Sequence, residues 1–486
     1  MWDDPVFMKA LRFISAVCLL VTADCAAQGV GIGTSTPHAS AQLDVVSSSK
    51  GLAIPSMTTA QRNAIPSPKA GLFVFDTNKQ TLCMFNGSNW VYFQTSAEPN
   101  YVMPIEVQAD DGQVGDNFGY SISVSGNYAV VGAPYDNIAA NVNQGSAYIF
   151  YFNGTSWTQQ AKLTASNGAA NDNFGFSVSI SGDYVIIGAP YDDVGAFTDE
   201  GSAYIFTRSG TTWSQQANIT GGSAVGGDNF GFSVSIDGSY CTVGAPGDDV
   251  GSNADQGTAY YFHRVFSVWS QEDYKTLPGG AAGDQFGFSV GVSGVNSVVG
   301  SPYDDSNGRT DNGSSHFFQR SGSAWSHIQL FEGNNTNDLL GYSVSMSDTN
   351  VVVSHPHTNV ANGTFGADAY FYNGTNWVGH ANSMLHLILG QQALSGTEGY
   401  GFAVAAGGSN FVVTAPFSDT LGLGSGMAYL YQTDNTDNFF VRYITDPLGG
   451  ASQEMGRSAA ASATWCFIGV PKAYGNKGKI LILPVQ

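Results

Sequence analysis

The sequence predicts an all-β chain whose larger part is a seven-bladed β-propeller of four-stranded antiparallel blades, preceded by a small α+β module. Three observations carry this reading. A phrase built on an aromatic residue followed by Gly recurs seven times, in full or in degraded form. Each copy places a Pro at one fixed distance after that phrase. The regular copies hold four short stretches of strand-type residues separated by turn signals.

The phrase DNFGYSISVSGNYAVVGAPYD returns as DNFGFSVSISGDYVIIGAPYD, DNFGFSVSIDGSYCTVGAPGD and DQFGFSVGVSGVNSVVGSPYD. Its leading aromatics, Phe118, Phe174, Phe230 and Phe286, stand 56 residues apart. Degraded copies lead with Leu340, Tyr400 and Met455. Every copy keeps the next Gly, from Gly119 to Gly456, and a Pro 16 residues after the leading position, from Pro134 to Pro471.

Within the second copy, large Phe174, Phe176, Val178 and Ile180 alternate with small Gly175, Ser177 and Ser179, a period of two. Ser181-Gly182-Asp183 makes a tight hairpin turn. YVIIGAP is an apolar strand stopped by Pro190, which cannot donate to a ladder. A loop of ten residues leads to GSAYIF, then a turn at Ser209-Gly210, then TTWSQQANI. Four antiparallel strands in each repeat make a propeller blade. Bulky rings on one side of the first strand can fill the space over Gly and Ser of the neighbouring blade. The seventh copy ends at its third strand, KILILPVQ, while Met103 to Ala109 is a spare fourth strand before the first copy. The expectation is that residues 103–109 complete the last blade, so that the propeller occupies 103–486 and the ring is closed.

Residues 1–27 read as a signal peptide: Lys9 and Arg12 precede the apolar run Phe13 to Val21, and small Cys25, Ala26 and Ala27 follow. A lipidated Cys25 is the alternative, with Asp24 a poor fit before it. Residues 28–97 form a small N-terminal module, with two short strands, a helix starting near Thr58 or Thr59, a hairpin turning at Asp76 to Lys79 and a further turn at Asn86-Gly87. Residues 98–102 are a linker. Beyond the signal region, Cys83, Cys241 and Cys466 are odd in number and widely spaced, which is no disulfide framework.

Composition narrows the partners. Lys plus Arg is 17 against 38 Asp plus Glu, a formal net charge of −21, which repels a phosphate backbone and excludes nucleic acid as a partner. Charged residues are only 11% and Gly is 61, which suits a turn-rich β protein and not long salt-bridged helices. No stretch after the signal region is apolar for the ~18 residues of a transmembrane helix.

The Phe-Gly and Gly-Ala/Ser-Pro phrases resemble the FG-GAP repeat family, the β-propeller of integrin α-subunits and of many bacterial surface proteins. The resemblance runs from Tyr101 to the end of the chain and is strongest in the first four copies. It implies binding and adhesion, not catalysis. Integrin-type repeats carry a calcium loop, DxDxDG, between the first and second strands. Here that place holds SGNY, SGDY, DGSY and SGVN, two-residue turns with no room for an ion, so those calcium sites do not carry over. Residues 28–97 resemble a leader module common in secreted and tail-fibre-like proteins of Bacteroidota.

The acidic residues are the informative candidates. Asp116, Asp172, Asp228, Asp284 and Asp338 stand two before the leading position of their copies. In the loop after the second strand stand Asp136, Asp192 with Asp193, Asp248 with Asp249, and Asp304 with Asp305. Both loops open on one face of a propeller. Tyr135, Tyr191, Tyr303 and Phe417 lie on the same loops, placed either to stack on sugars or peptide side chains or simply to pack the loop. The ligand-binding face is therefore expected to use Tyr135, Asp136, Tyr191, Asp192, Asp248, Tyr303, Asp304 and Phe417. Asp192, Asp193 and Asp199, then Asp248, Asp249 and Asp255, then Asp304, Asp305 and Asp311 return three carboxylates to one loop. That pattern suits Ca²⁺, a hard ion with six to eight oxygen ligands. The alternative is that each Asp caps its own turn.

Gly287-Phe288-Ser289-Val290-Gly291 matches a hydrolase elbow but sits inside a strand whose sister copies read GFSVS or GYSIS, so it is a repeat accident. His355 and His357 are better explained by substitution in a degraded copy than by a metal site. The reading is a secreted or cell-surface, non-enzymatic binding or adhesion protein with a protein or glycan ligand. A polysaccharide lyase or hydrolase on a propeller scaffold is one alternative. A structural module of a surface or fibre assembly, trimerising through residues 28–97, is the other.

Overall fold

The computed structural model describes residues 30–32, 43–47, 49, 52–77, 81–85, 90–93, 103–222, 226–356, 366–384, 399–419, 423–433 and 438–485. Residues 1–27, expected to be a signal peptide, the expected linker 98–102, the Asn86-Gly87 turn and His357 lie outside the described residues. The chain divides into two units, Met1–Tyr101 and Val102–Gln486.

The second unit holds seven antiparallel sheets of four strands each. The first strand of each sheet lies innermost: Ser121–Ser125, Ser177–Ser181, Ser233–Asp237, Ser289–Ser293, Val344–Ser347, Val404–Gly407 and Ala459–Ala461. Each inner strand neighbours that of the next sheet, and the seventh neighbours the first. The sheets are thus blades of one closed propeller. In blade two the strands are Ser177–Ser181, Tyr184–Ala189, Ser202–Ser209 and Thr212–Ile219, paired in sequence order. The leading aromatics are buried between blades. Phe174 is fully buried in one cluster with Val130, Ala147 and Ile149 of blade one and Tyr204 and Phe206 of its own blade.

Two backbone contacts explain why the repeat needs its glycines. At five of the seven blade junctions the Gly that follows the leading residue turns its carbonyl onto the Gly of the preceding blade's second strand; blades five and six carry Ser354 and Thr414 there instead. A Cβ on Gly188 would lie 1.9 Å from the Gly231 oxygen, and one on Gly132 would lie 2.0 Å from the Gly175 oxygen. The same approach recurs at Gly244, Gly300 and Gly469, the last of which meets Gly119 across the junction of blades seven and one. A serine of the inner strand donates to that carbonyl each time: Ser121 to Gly175 at 2.8 Å, Ser177 to Gly231 at 2.8 Å, Ser458 to Gly119 at 2.8 Å.

The small side of the inner strand is more than a space left for rings. An edge strand leaves backbone N–H groups without a ladder partner. The serines supply acceptors from the blade before: Ile180 N–H donates to Ser123 Oγ at 3.2 Å, Ile236 to Ser179 at 3.1 Å and Val292 to Ser235 at 3.1 Å. The alternation of ring and Ser in the sequence is therefore both packing and hydrogen bonding.

The spare strand closes the ring. Ile105–Val107 pairs antiparallel with Lys479–Pro484, with Val107 opposite Ile480, Glu106 opposite Leu481 and Ile105 opposite Ile482. Its charge is locked from the other side. The buried Lys479 ammonium lies 2.9 Å from Glu106 and 2.8 Å from Asp446. Burial alone would raise the Glu106 carboxyl, but its hydrogen bonds to Tyr474 and Lys479 outweigh that and hold it low.

In the first unit, Val30–Ile32 pairs in parallel with Leu43–Val45. A second sheet orders Ser56–Met57, Phe73–Asp76, Thr81–Phe85 and Trp90–Phe93. The helix Thr59–Asn63 starts with a capping box. Thr58 Oγ1 accepts from Gln61 N–H at 3.2 Å, and Gln61 Oε1 accepts from Thr58 N–H at 2.9 Å.

Candidate ligand-binding face

The loop after the second strand of one blade is hydrogen-bonded to the lead-in loop of the next. Asn173 N–H donates to Asn143 C=O and Phe174 N–H to Gln144 C=O between blades one and two. Asn229 to Asp199 and Phe230 to Glu200 repeat this between blades two and three, and Phe118 to Lys477 closes the circle. Both acidic loops thus occupy one face, as their order in the sequence implies.

The carboxylates on that face meet donors of the protein itself. Asp116, Asp172, Asp284 and Asp338 each accept from the backbone N–H three residues earlier, at 2.5–2.6 Å. The first Asp of each loop, buried in blades one to three and half-buried at Asp304, holds a group on the third strand. Asp192 accepts from Tyr204 at 2.6 Å and Asp248 from Tyr260 at 2.6 Å. Asp136 accepts from Ser146 at 2.6 Å and pairs with Lys162 at 2.7 Å, while Asp304 is hydrogen-bonded to Ser314. The second Asp caps the turn that ends the loop. Asp193, Asp249 and Asp305 accept from the N–H of Asp199, Asp255 and Asp311 at 3.0, 2.9 and 2.7 Å, and each of those last three residues has a positive φ near 50°. Among the described residues, no group of three or more His, Cys, Asp or Glu side chains gathers as a metal ligand set.

The aromatic residues assemble differently. The side chain two after each leading position contacts its counterpart in the next blade. Ring centres of Tyr120 and Phe176 are 5.1 Å apart, Phe176 and Phe232 5.0 Å, Phe232 and Phe288 5.0 Å, Phe288 and Tyr342 5.0 Å, and Tyr342 and Phe402 5.4 Å. Arg457 takes the seventh place. Its guanidinium lies 4.8 Å from the Phe402 ring centre and 5.2 Å from that of Tyr120. The result is a closed, half-buried collar of six rings and one arginine around the axis. Burial works against the Arg457 charge, but Tyr120, Tyr342 and Glu454 outweigh it and keep the guanidinium firmly protonated.

The four loop aromatics stand outside the collar and meet it edge-on. Tyr135 contacts Tyr120 at 6.0 Å, Tyr191 contacts Phe176 at 6.0 Å, Tyr303 contacts Phe288 at 5.9 Å and Phe417 contacts Phe402 at 5.6 Å. Further along the inner strands the axis widens into a cavity of about 500 Å³, lined by small residues such as Ser123, Ser179, Ser235 and Ala460.

A model of the FG-GAP repeat matches residues 106–150, 157–206, 213–262 and 269–318, each of which covers the first three strands of one of blades one to four and reaches back to the outer strand of the blade before it. These are FG-GAP repeats. A model of the phage tail like trimerisation region matches residues 31–106. No curated protein matches the chain. Among solved structures, a chain of the mitotic checkpoint complex is similar at 12% identity and a TM-score of 0.45, covering 81% of this chain and 98% of its own. Sqt1 of Saccharomyces cerevisiae is similar at 9% identity and a TM-score of 0.42, covering 79% of this chain and 99% of its own.

The FG-GAP loops also carry uncompensated negative charge. Burial, with Asp192 and Asp193 nearby, pushes the Asp172 carboxyl up to about 6; burial with Asp304 and Asp305 does the same to Asp284. Glu200 is buried with neither carboxylate oxygen hydrogen-bonded, and burial beside Asp192 raises it too. Sister blades place amides there: Gln256 donates to Leu277 C=O at 3.2 Å and Asn312 to Gly333 C=O at 3.0 Å. Acids raised in the fold contribute stability that is full below their unfolded pKa and lost as pH rises through the folded one, here about 6 for Asp172 and Asp284. The melting temperature is expected to climb as pH falls from 8 towards 5. Glu200→Gln is expected to add about 1–3 kcal/mol at neutral pH, by giving the site a donor. A flat pH profile, or a Glu200→Gln variant that melts lower than the parent, would contradict this.

The collar is what the sequence reading missed. Its signal was present: Tyr120, Phe176, Phe232 and Phe288 share the 56-residue spacing of the leading aromatics. Strand alternation places them on the same side as their neighbours. It does not say that they meet around an axis.

Proposed function

We propose that this chain is a secreted or cell-surface binding protein, of adhesion type, that takes a protein or glycan ligand on the collar face. The observation that supports this most is the collar itself. Six half-exposed aromatic rings and one arginine line the axis together, and rings are large contact area at low entropic cost. Arg457 breaks the sevenfold repetition and so gives a ligand one orientation. The surrounding carboxylates disfavour acidic partners.

The match of residues 31–106 to a trimerisation region supports a second reading that is compatible with the first. Three copies would present three collar faces together, and linkage of weak sites raises avidity without new contacts.

The test is a protein and glycan array probed with the full chain, repeated with Arg457→Gln, Tyr191→Ala and Phe417→Ala. Binding is expected to fall at least about tenfold in the variants of Arg457 and of the two loop aromatics that abut the collar, with melting temperatures close to that of the parent. A ligand held equally well by all three variants would place binding elsewhere.

A further inference from the structure

Blade four departs from its sisters at one position on the third strand. Where blades one to three carry Tyr148, Tyr204 and Tyr260, blade four carries His316. This ring is 3% exposed and faces a second imidazole across the sheet: His316 Nδ1 lies 3.1 Å from His327 Nε2 on the fourth strand. The other ring nitrogen, His316 Nε2, lies 3.1 Å from Ser314 Oγ.

The protonation of His316 follows from its neighbours. The Ser314 hydroxyl has one hydrogen, and it is given to the Asp304 carboxylate, whose pKa it lowers against the larger effect of burial. Ser314 Oγ must then accept from His316, so Nε2 carries the proton. The lone pair of Nδ1 is left pointing at His327. A neutral imidazole whose far N–H is anchored through a hydroxyl to a carboxylate is the outer-shell arrangement of a metal-binding histidine.

We propose that His316 Nδ1 and His327 Nε2 form a binding site for a divalent transition-metal ion of the Zn²⁺ or Cu²⁺ class. Two metal–nitrogen bonds of about 2.1 Å to nitrogens at this separation subtend roughly 95°, within reach of tetrahedral or tetragonal coordination. The remaining positions are open to water or to a ligand's own donor, because His327 is exposed. The local field favours a cation: Glu332 and Asp305 both add negative charge at Asp304. In blade one the corresponding carboxylate, Asp136, is answered by Lys162. Two imidazoles and no carboxylate oxygen in the first coordination sphere select against Ca²⁺.

The experiment is calorimetric titration of the untagged full chain with Zn²⁺, Cu²⁺ and, as a control, Ca²⁺, with the Cu²⁺ sample examined by electron paramagnetic resonance. One Zn²⁺ or Cu²⁺ is expected at this site, with two nitrogen ligands in the Cu²⁺ spectrum. His327→Ala and His316→Tyr are each expected to weaken it at least about tenfold. His316→Tyr restores the residue of the sister blades, and His327 is exposed, so both variants are expected to keep the parent's melting temperature. Absence of Zn²⁺ and Cu²⁺ binding to the parent, or unchanged affinity and stoichiometry in both variants, would overturn the proposal.

Discussion

Removing residues 1–107 is expected to destabilise the whole propeller, whereas removing residues 1–102 leaves its stability unchanged. The two truncations differ by five residues, and those residues include the closing strand Ile105–Val107. Without it, the third strand of blade seven, Lys479–Pro484, presents an unpaired edge. The apolar cluster between blades seven and one loses Val107 from its margin. The Lys479 ammonium, 1% exposed, keeps Asp446 but loses Glu106. Removing one member of a buried charge network costs about 3–5 kcal/mol, before the lost backbone ladder is counted. A fall in melting temperature of more than about 10 °C is expected for the longer truncation alone. Differential scanning calorimetry of the two proteins decides it, and equal melting temperatures would remove the closing strand from the account.

Gly188→Ala is expected to be nearly as damaging, although it adds a single methyl group. Its Cβ would fall 1.9 Å from the Gly231 oxygen and 2.3 Å from Ser177 Oγ. The oxygen is backbone on a strand lead-in held by its own hydrogen bonds, so no rotamer change relieves the overlap. Blades two and three must separate, and the Ser177 hydrogen bond that joins them is lost. A cost of at least about 3 kcal/mol is expected, above the usual range for overpacking, because backbone stands on both sides. The measurement is the urea midpoint of the variant against the parent. A variant within experimental error of the parent would show that the two glycines do not touch.

Much of this architecture was legible in the chain. The aromatic-Gly phrase and the Pro at constant distance gave the blade count, because repetition survives even where Leu340 and Met455 replace the aromatic. The spare strand was legible because its flank aligns with the fourth strands of the other blades. The helix start near Thr58 or Thr59 was legible too, and the structure adds its cause, the reciprocal bonds of Thr58 and Gln61. The candidate site was less legible, for two physical reasons. Asp in a short loop serves equally as a turn cap or as an oxygen ligand, so the sequence leaves Asp193 and Asp199 open to either reading; the structure adds that the N–H of Asp199 donates to the Asp193 carboxylate. And a period of two assigns residues to a side of a strand but not to a radius. Phe174 and Phe176 lie on the same side; Phe174 is buried between blades, and Phe176 belongs to the collar. The stitching role of Ser123 and Ser179 was hidden for a related reason, since a serine opposite a ring reads as a small residue first.

The closing strand has a consequence for how the protein is made. Glu106 and Lys479 are 373 residues apart in the chain. At the usual rate of synthesis, roughly 5–20 residues per second, about 20–75 s separate the appearance of the two. Blades one to six can form as the ribosome delivers them, each nucleated by local hairpins. The seventh sheet cannot, because its outer strand emerges first and its partner last. Through that interval the nascent chain carries a β-strand with no mate, beside a growing arc whose open end exposes another. An early strand of one chain can then meet the late strand of another, and the product of that error is a domain-swapped pair. Anything that shields residues 103–109 until release would raise the yield of correctly closed rings.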